Sequence, residues 1–241
     1  MKRLTEICEG VRKLLSLGMR EIPEFSLEPR EADGYLETLV WNGQRIPLFS
    51  SRYERRIRAI AKYGKSAEDN SALNVYCFVG CDIPLDRLIY FELDIAEYVL
   101  HSRIKKITAI VNGGAANIIA VMENGTCANM DLGNTMASGA HYQCQHRLIT
   151  KHGMANDLSA ADMTIQHQLY LFGQEGNAVY DDDEAYLFGL DEDQVSKALT
   201  IHGILTGQQS VEGWAENDVR YRKMVKAVHE SNELGKPIYV D

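Results

Sequence analysis

The sequence predicts an α+β fold: an open-faced, mainly antiparallel β-sheet with helices on one face, together with an N-terminal helical segment. Three observations predict it. Strand-like runs joined by tight turns fill the middle of the chain, helical periodicity marks both of its ends, and no glycine-rich nucleotide loop interrupts them. We expect two domains, with residues 1–70 as a helical segment packed on a main α+β domain of residues 71–241.

The predicted N-terminal segment contains two helices separated by a hairpin. Apolar residues recur at i, i+3, i+4 and i+7 over residues 4–15, which is typical of a helix with one buried face. The dipeptide Asn42-Gly43 lies between two strand-like runs and predicts a tight hairpin turn. Ser51 has Glu54 three residues later, so we expect a capping box to begin the second helix.

The predicted main domain begins with a buried strand, Ala72–Val79, followed by a helix over Leu88–Leu100. The dipeptide Asn124-Gly125 then predicts a hairpin between two apolar runs. The other predicted strands are Ile107–Val111, Asn117–Met122, Thr126–Leu132, Gln143–Thr150, Ile165–Phe172 and Ala185–Leu190, and the closing helices are Gln194–Leu205 and Asn217–Asn232. Consecutive hairpins with helices at the ends indicate a sheet that is covered on one face.

The composition narrows the classes of partner. The 241 residues carry a formal net charge of −9, which argues against nucleic acid because neutralising phosphates needs clustered Lys and Arg. No apolar run approaches the ~18 residues needed to span a bilayer. The N-terminus lacks a signal-peptide core, so we expect a cytoplasmic protein with no membrane partner. Five scattered cysteines predict reduced thiols, namely Cys8, Cys77, Cys81, Cys127 and Cys144.

The glycine spacing argues against a dinucleotide site in this chain. A dinucleotide fold needs G-x-G-x-x-G between a strand and a helix, so that backbone amides approach the pyrophosphate. The 19 glycines contain no G-x-G pair. We therefore expect this chain alone to bind no NAD(P).

Four stretches of the second half resemble one known family in order and spacing. They are Phe91–Leu100, Asn117–Leu132, His167–Val179 and Met224–Val240. Together they resemble the C-terminal domain of the glucose–fructose oxidoreductase / inositol dehydrogenase (Gfo/Idh/MocA) family. The resemblance implies a sheet whose bare face packs against a second subunit, and hence a homodimer. The family's nucleotide-binding domain and its Glu-Lys-Pro motif have no counterpart in this sequence, so a nicotinamide cofactor would have to come from a partner chain.

The resemblance also implies candidate site residues. Family members place an acid four residues before a histidine in the substrate pocket. The ungapped alignment puts Arg87 and Phe91 at these positions, and a shift of one residue puts Asp86 and Tyr90 there. Asp86, Arg87 and Tyr90 are therefore the candidate catalytic and substrate-binding residues for a small sugar or polyol.

A second group of polar residues lies around one predicted strand. His146, Arg147 and Lys151 are candidates to line a sugar or anion site on the sheet. Four residues that lie close in sequence also suggest a metal site, namely His141, Cys144, His146 and His152. On a strand, Cys144 and His146 point to one face and His141 to the other, so we expect no metal there.

Three hypotheses of function follow. The first is a non-catalytic relative of sugar oxidoreductases that serves in dimerisation, carbohydrate binding or as an accessory subunit. The second is a split oxidoreductase whose nucleotide-binding chain is supplied in trans. The third is a cofactor-independent sugar epimerase or lyase that uses His146, Lys151 and a carboxylate.

Overall fold

The fold comes from a computed structural model that describes residues 2–18, 21–32, 34–64, 69–140, 143–158, 167–173, 176–182 and 189–240. The chain forms two compact units. The first consists of residues 1–55 and 183–220, and the second of residues 56–182 and 221–241. Each unit therefore combines segments that are distant in sequence. Among the described residues, no helix combines the length and the apolar character that a bilayer crossing requires.

The first unit is built from helices and a small antiparallel sheet. Its elements are α1 (Lys2–Ser16), β1 (Phe25–Glu28), β2 (Thr38–Trp41), β3 (Gln44–Pro47), a 3-10 helix (Ser50–Tyr53), α4 (Glu192–Leu205) and the start of α5 (Trp214–Leu234). The predicted N-terminal helix is confirmed, and Ile7, Val11 and Leu15 on its apolar face are completely buried. Helix α1 packs against α4, whose N-terminus carries a capping box.

Two turn predictions in this unit have opposite outcomes. The hairpin at Asn42-Gly43 is confirmed, since both residues adopt the positive φ that joins β2 to β3. The capping box at Ser51 and Glu54 is wrong. Glu54 has extended ψ, and its N–H bonds to the Ser51 carbonyl, which closes a 3-10 turn; the α-helix begins only at Arg55.

The second unit contains a nine-stranded sheet in the order β11-β10-β9-β8-β4-β7-β6-β5-β12. Its helices are α2 (Arg55–Tyr63), α3 (Leu85–Leu100) and the rest of α5. The strands are β4 (Asn70–Gly80), β5 (Ile104–Asn112), β6 (Ala115–Met122), β7 (Cys127–Met136), β8 (Gln143–Thr150), β9 (Gly153–Leu158), β10 (His167–Gly173), β11 (Gly176–Asp182) and β12 (Ile238–Tyr239). Only β4 and β7 pair in parallel among the described strands. The α+β prediction is confirmed, and the predicted strand over residues 185–190 lies mostly outside the described residues.

Helix α3 covers one face of this sheet, where alternate residues of each strand are buried. Leu73 and Val75 of β4, Ile118 of β6 and Met130 of β7 are almost inaccessible to solvent. Period-two alternation explains this pattern, because successive side chains of a strand point to opposite faces. We call this side the helix face.

The opposite side, the open face, carries the residues of the other parity. Several large apolar side chains there are exposed: Tyr76, Ile110, Ile119, Ile149 and Phe172. The sequence predicted that β10 would be apolar on both parities, and the structure buries Leu169 on the helix face while exposing Phe172 on the open face. A sheet with apolar residues on both faces is typical of one that is covered on both.

Candidate functional site

A chain of four charged side chains crosses the interior of the second unit. Arg56 Nη1 lies 3.2 Å from Asp157 Oδ2. The same carboxylate oxygen lies 3.0 Å from His146 Nδ1, and His146 Nε2 lies 3.0 Å from Glu92 Oε2. All four residues are buried. We refer to Arg56, Asp157, His146 and Glu92 as the buried network.

Four different elements position the buried network. Arg56 lies in the first turn of α2, and Glu92 lies on α3. His146 on β8 and Asp157 on β9 lie on neighbouring antiparallel strands, and the Asp157 carboxylate also accepts the backbone N–H of His146. Because that carboxylate bonds both the main chain and the ring of His146, it fixes the orientation of the imidazole.

The contacts define the charge state of the buried network. Both ring nitrogens of His146 face carboxylate oxygens, and only the imidazolium can donate from both. Burial by itself lowers the pKa of His146, but the Asp157 and Glu92 carboxylates outweigh it and raise the pKa to about 10. Burial raises the pKa of Asp157, yet His146 and Arg56 hold it below its ordinary value. Two cations therefore neutralise two anions.

A disulfide bond lies beside this network. Cys77 on β4 stands directly opposite Cys144 on β8, with a Cα–Cα distance of 4.0 Å, and the two sulfurs are bonded. The expectation of reduced thiols is therefore wrong for this pair. The other cysteines, Cys8, Cys81 and Cys127, are free. The pair is separated by 67 residues in sequence, so only the strand register shows that the two cysteines meet.

The three candidates on α3 have different environments. Asp86, in the first turn, accepts a hydrogen bond from His229 Nε2 at 2.7 Å, and both side chains are partly exposed. The Arg87 guanidinium lies 5.3 Å from the centre of the Phe91 ring. Tyr90 is completely buried, with its ring packed edge-on against Phe91 and Tyr221. Only the first two candidates lie near solvent.

The structure does not bring His146, Arg147 and Lys151 together. His146 points to the helix face, whereas its neighbour Arg147 points to the open face, as the alternation of a strand requires. Lys151 is exposed in the turn between β8 and β9. Of the residues considered for a metal, Cys144 and His146 share a face as predicted, His152 is exposed beside Asp69, and His141 lies outside the described residues.

Sequence reasoning missed most of the buried network and one surface partner. Glu92 carried a signal, since it is an acid among the apolar residues of α3. Arg56 lies in the basic run Arg52–Arg58, a pattern that is typical of a solvated helix face. Asp157 and His229 carried no local signal, because only long-range strand pairing and helix packing place them beside His146 and Asp86.

A shallow depression lies on the open face, where β4, β5, β6 and β7 meet. It has a volume of about 340 Å³, and its lining includes Tyr76, Phe78, Ile110, Asn117 and Asp131. Asn117 Nδ2 donates to Asp131 Oδ1 along one wall. Apolar and aromatic walls with a few fixed polar groups are typical of a surface that accepts a partner's side chain or a small ligand.

Sequence comparisons give no relative for this chain: no family model matches it, and no curated protein matches it. Solved structures do share its fold. An oxidoreductase from Agrobacterium radiobacter, in complex with NAD+, L-tartaric acid and magnesium, has a TM-score of 0.61 at 14% identity over 80% of this chain and 64% of that chain. The aldose-aldose oxidoreductase from Caulobacter crescentus has a TM-score of 0.61 at 10% identity over 81% and 63%.

The same fold occurs in a protein of another kind. The transcriptional regulator Gal80p from Kluyveromyces lactis has a TM-score of 0.65 at 11% identity over 80% of this chain and 62% of that chain. This chain spans less than two thirds of the length of these three structures. It has the fold of Gfo/Idh/MocA-type oxidoreductases, as the resemblance predicted. Fold alone does not decide between catalysis and regulation.

Proposed function

We propose that this chain is a non-catalytic assembly subunit, which uses the fold of a sugar-oxidoreductase substrate domain to pair with a second copy of itself. One observation carries the proposal. Tyr90, at the position that the shifted alignment gives to the family's histidine, is buried between Phe91 and Tyr221. The ungapped alignment gives that position to Phe91, which has no proton to transfer. A buried tyrosine or a phenylalanine at this position favours a chain that transfers no proton to a bound polyol.

The open face supplies the surface for pairing. Its exposed apolar side chains extend from Ile110 on β5 to Phe172 on β10, so they cross most of the sheet. Exposed apolar patches of this kind mark interaction sites in soluble proteins. Polar pairs lie between them, such as Asn74 with Asn129, and would form the hydrogen-bonding part of a self-complementary interface.

We expect Ile119→Asp to convert a dimer into a monomer. Ile119 lies on β6 in the exposed apolar surface, and a two-fold interface would bury the new charge twice. Like-charge juxtaposition and desolvation cost several kcal/mol, so the dimer should dissociate about 100-fold or more readily. Light scattering coupled to size-exclusion chromatography over a range of concentrations measures the change.

The matched control is Val219→Asp, which places the same charge at an exposed apolar position of helix α5. This variant should remain dimeric with the same concentration dependence as the unmodified chain. A monomeric unmodified chain at high micromolar concentration, or a dimer that tolerates Ile119→Asp, would contradict the proposed interface.

A second candidate is the split oxidoreductase, and the pair of Asp86 and His229 favours it. The two side chains are 2.7 Å apart and partly exposed, and an acid that orients a histidine is a recurrent arrangement for proton transfer. In this reading a separate nucleotide-binding chain supplies NAD(P), and His229 takes the proton from a sugar hydroxyl during hydride transfer.

The assembly subunit and the split oxidoreductase predict different results when NAD(P) is added. The assembly proposal expects no heat of NAD(H) or NADP(H) binding to the purified chain, and micromolar affinity for either would defeat it. The split enzyme expects polyol oxidation when a nucleotide-binding chain is added, and His229→Ala should lower that rate by roughly 10²–10⁴-fold. His202→Ala, a histidine on α4, should leave the rate unchanged. No complex and no turnover with any added nucleotide-binding chain would exclude the split enzyme.

A further inference from the structure

Three potential metal ligands converge on the helix face of the large sheet. They are the sulfurs of Cys77 and Cys144 and a carboxylate oxygen of Glu92, and all three atoms lie within 4.8 Å of one another. Cys77 and Glu92 are buried, and Cys144 is partly exposed. We propose that, once the disulfide is reduced, these residues bind one thiophilic divalent cation of the Zn²⁺ class. This inference does not depend on the proposed function.

The donor set selects the class of ion. Thiolate sulfurs favour Zn²⁺ and other soft or borderline metals, and Zn²⁺ also accepts a carboxylate oxygen. The sulfurs come from directly opposite positions of two strands, and the carboxylate comes from the helix above them. Three protein ligands leave the fourth tetrahedral position for water, which enters beside the partly exposed Cys144.

The net charge favours the exchange of the disulfide for two thiolates and a Zn²⁺ ion. Two thiolates would add two negative charges to a buried site, which is strongly unfavourable without compensation. A divalent cation compensates them completely. The disulfide state and the dithiolate–Zn²⁺ state therefore have the same net charge.

The buried network orients the carboxylate ligand. His146 Nε2 lies 3.0 Å from Glu92 Oε2, and Asp157 and Arg56 hold His146 from the other side. Carboxylates that ligate metals are themselves hydrogen-bonded by outer residues, which fixes their geometry. The same network that stabilises the fold thus holds Glu92 in place for the ion.

A dithiol reductant supplies the electrons and protons that convert the disulfide into two thiols. The reductant gives two electrons and two protons to the Cys77–Cys144 bond and becomes a disulfide itself, which leaves two thiols. Zn²⁺ then displaces the two thiol protons into solvent as the two sulfur–metal bonds form. Partial exposure of Cys144 gives both the reductant and the ion a route to the pair.

The test uses the full chain, reduced with a dithiol and desalted without oxygen. We expect it to take up one Zn²⁺ per chain, and with Co²⁺ in its place to show an intense near-ultraviolet thiolate-to-metal absorption. Cys77→Ser and Cys144→Ser should each weaken binding about 100-fold or more. Cys127→Ser, a matched change at a free cysteine of the same sheet, should bind as the unmodified chain does.

A labelling experiment on the unmodified chain avoids any effect of substitution on folding. Zn²⁺ should protect Cys77 and Cys144 from alkylation, as mass spectrometry would show, while the exposed Cys81 reacts at the same rate with and without the ion. Equal labelling of Cys77 and Cys144 in both conditions overturns the proposal. So does unchanged Zn²⁺ affinity in the two serine variants, or a Co²⁺ spectrum without the thiolate band.

Discussion

Replacing Asp157 by asparagine is expected to lower the free energy of unfolding by about 3–5 kcal/mol, which is the usual cost of removing one partner from a buried ion pair. Asp157 is inaccessible to solvent, and its carboxylate contacts Arg56, the His146 ring and the His146 backbone N–H. The asparagine side chain has almost the same shape but no charge. It removes the carboxylate that both Arg56 and the His146 ring contact.

Asp131→Asn is the matched control, because it makes the same change on the open face of the same sheet. Asp131 is only half-buried and accepts a hydrogen bond from Asn117. Removing its charge should therefore lower the free energy of unfolding by less than about 1 kcal/mol. Urea unfolding with the disulfide closed measures both variants. A difference between them of less than 1 kcal/mol would mean that Asp157 does not hold the buried network together.

Local periodicity predicted the regular elements of this fold well. The strand over Ala72–Val79 lies inside β4, and the strand over Gln143–Thr150 coincides with β8. Both predictions rest on the spacing of apolar residues along the chain, which differs between a strand and a helix. The turn at Asn42-Gly43 was also predictable, because the backbone conformation there depends on these two residues themselves.

The buried network was not predictable, because it depends on which strands and helices meet. Arg56 and Asp157 are separated by 101 residues, and Glu92 and His146 by 54. Cys77 meets Cys144 only because β4 pairs with β8, a pairing that the sequence does not state. The return of residues 183–220 to the first unit has the same origin, since it depends on the packing of α1 against α4.

The candidate site on α3 has one feature that the sequence predicted and one that it did not. The sequence placed Asp86 and Tyr90 four residues apart, but it did not show that Tyr221 of α5 covers the Tyr90 ring. Nor did it show that His229, 143 residues further along, reaches Asp86. Spacing within a helix gives the relative positions of its own residues. What covers them is decided by the residues that pack against that helix.

The stability of the protein should fall as pH rises from about 6.5 to about 10, through the titration of His146. Its pKa is raised from 6.5 to about 10 in the folded state, because Asp157 and Glu92 stabilise the imidazolium. A group with a raised folded pKa contributes stability that is complete below its unfolded pKa and is lost as pH passes its folded pKa. The window for His146 therefore runs from about 6.5 to about 10.

Comparison with His146→Gln isolates this contribution from tyrosine and lysine titration. With the disulfide closed and metal removed, the unmodified chain should be more stable than the variant near pH 6.5, and the difference should shrink by a few kcal/mol by pH 10. Glutamine cannot carry the positive charge, so its own profile lacks the His146 contribution. Urea unfolding at half-unit steps of pH measures the difference directly. A difference that stays constant from pH 7 to 10 would show that His146 is not an imidazolium held by its two carboxylates.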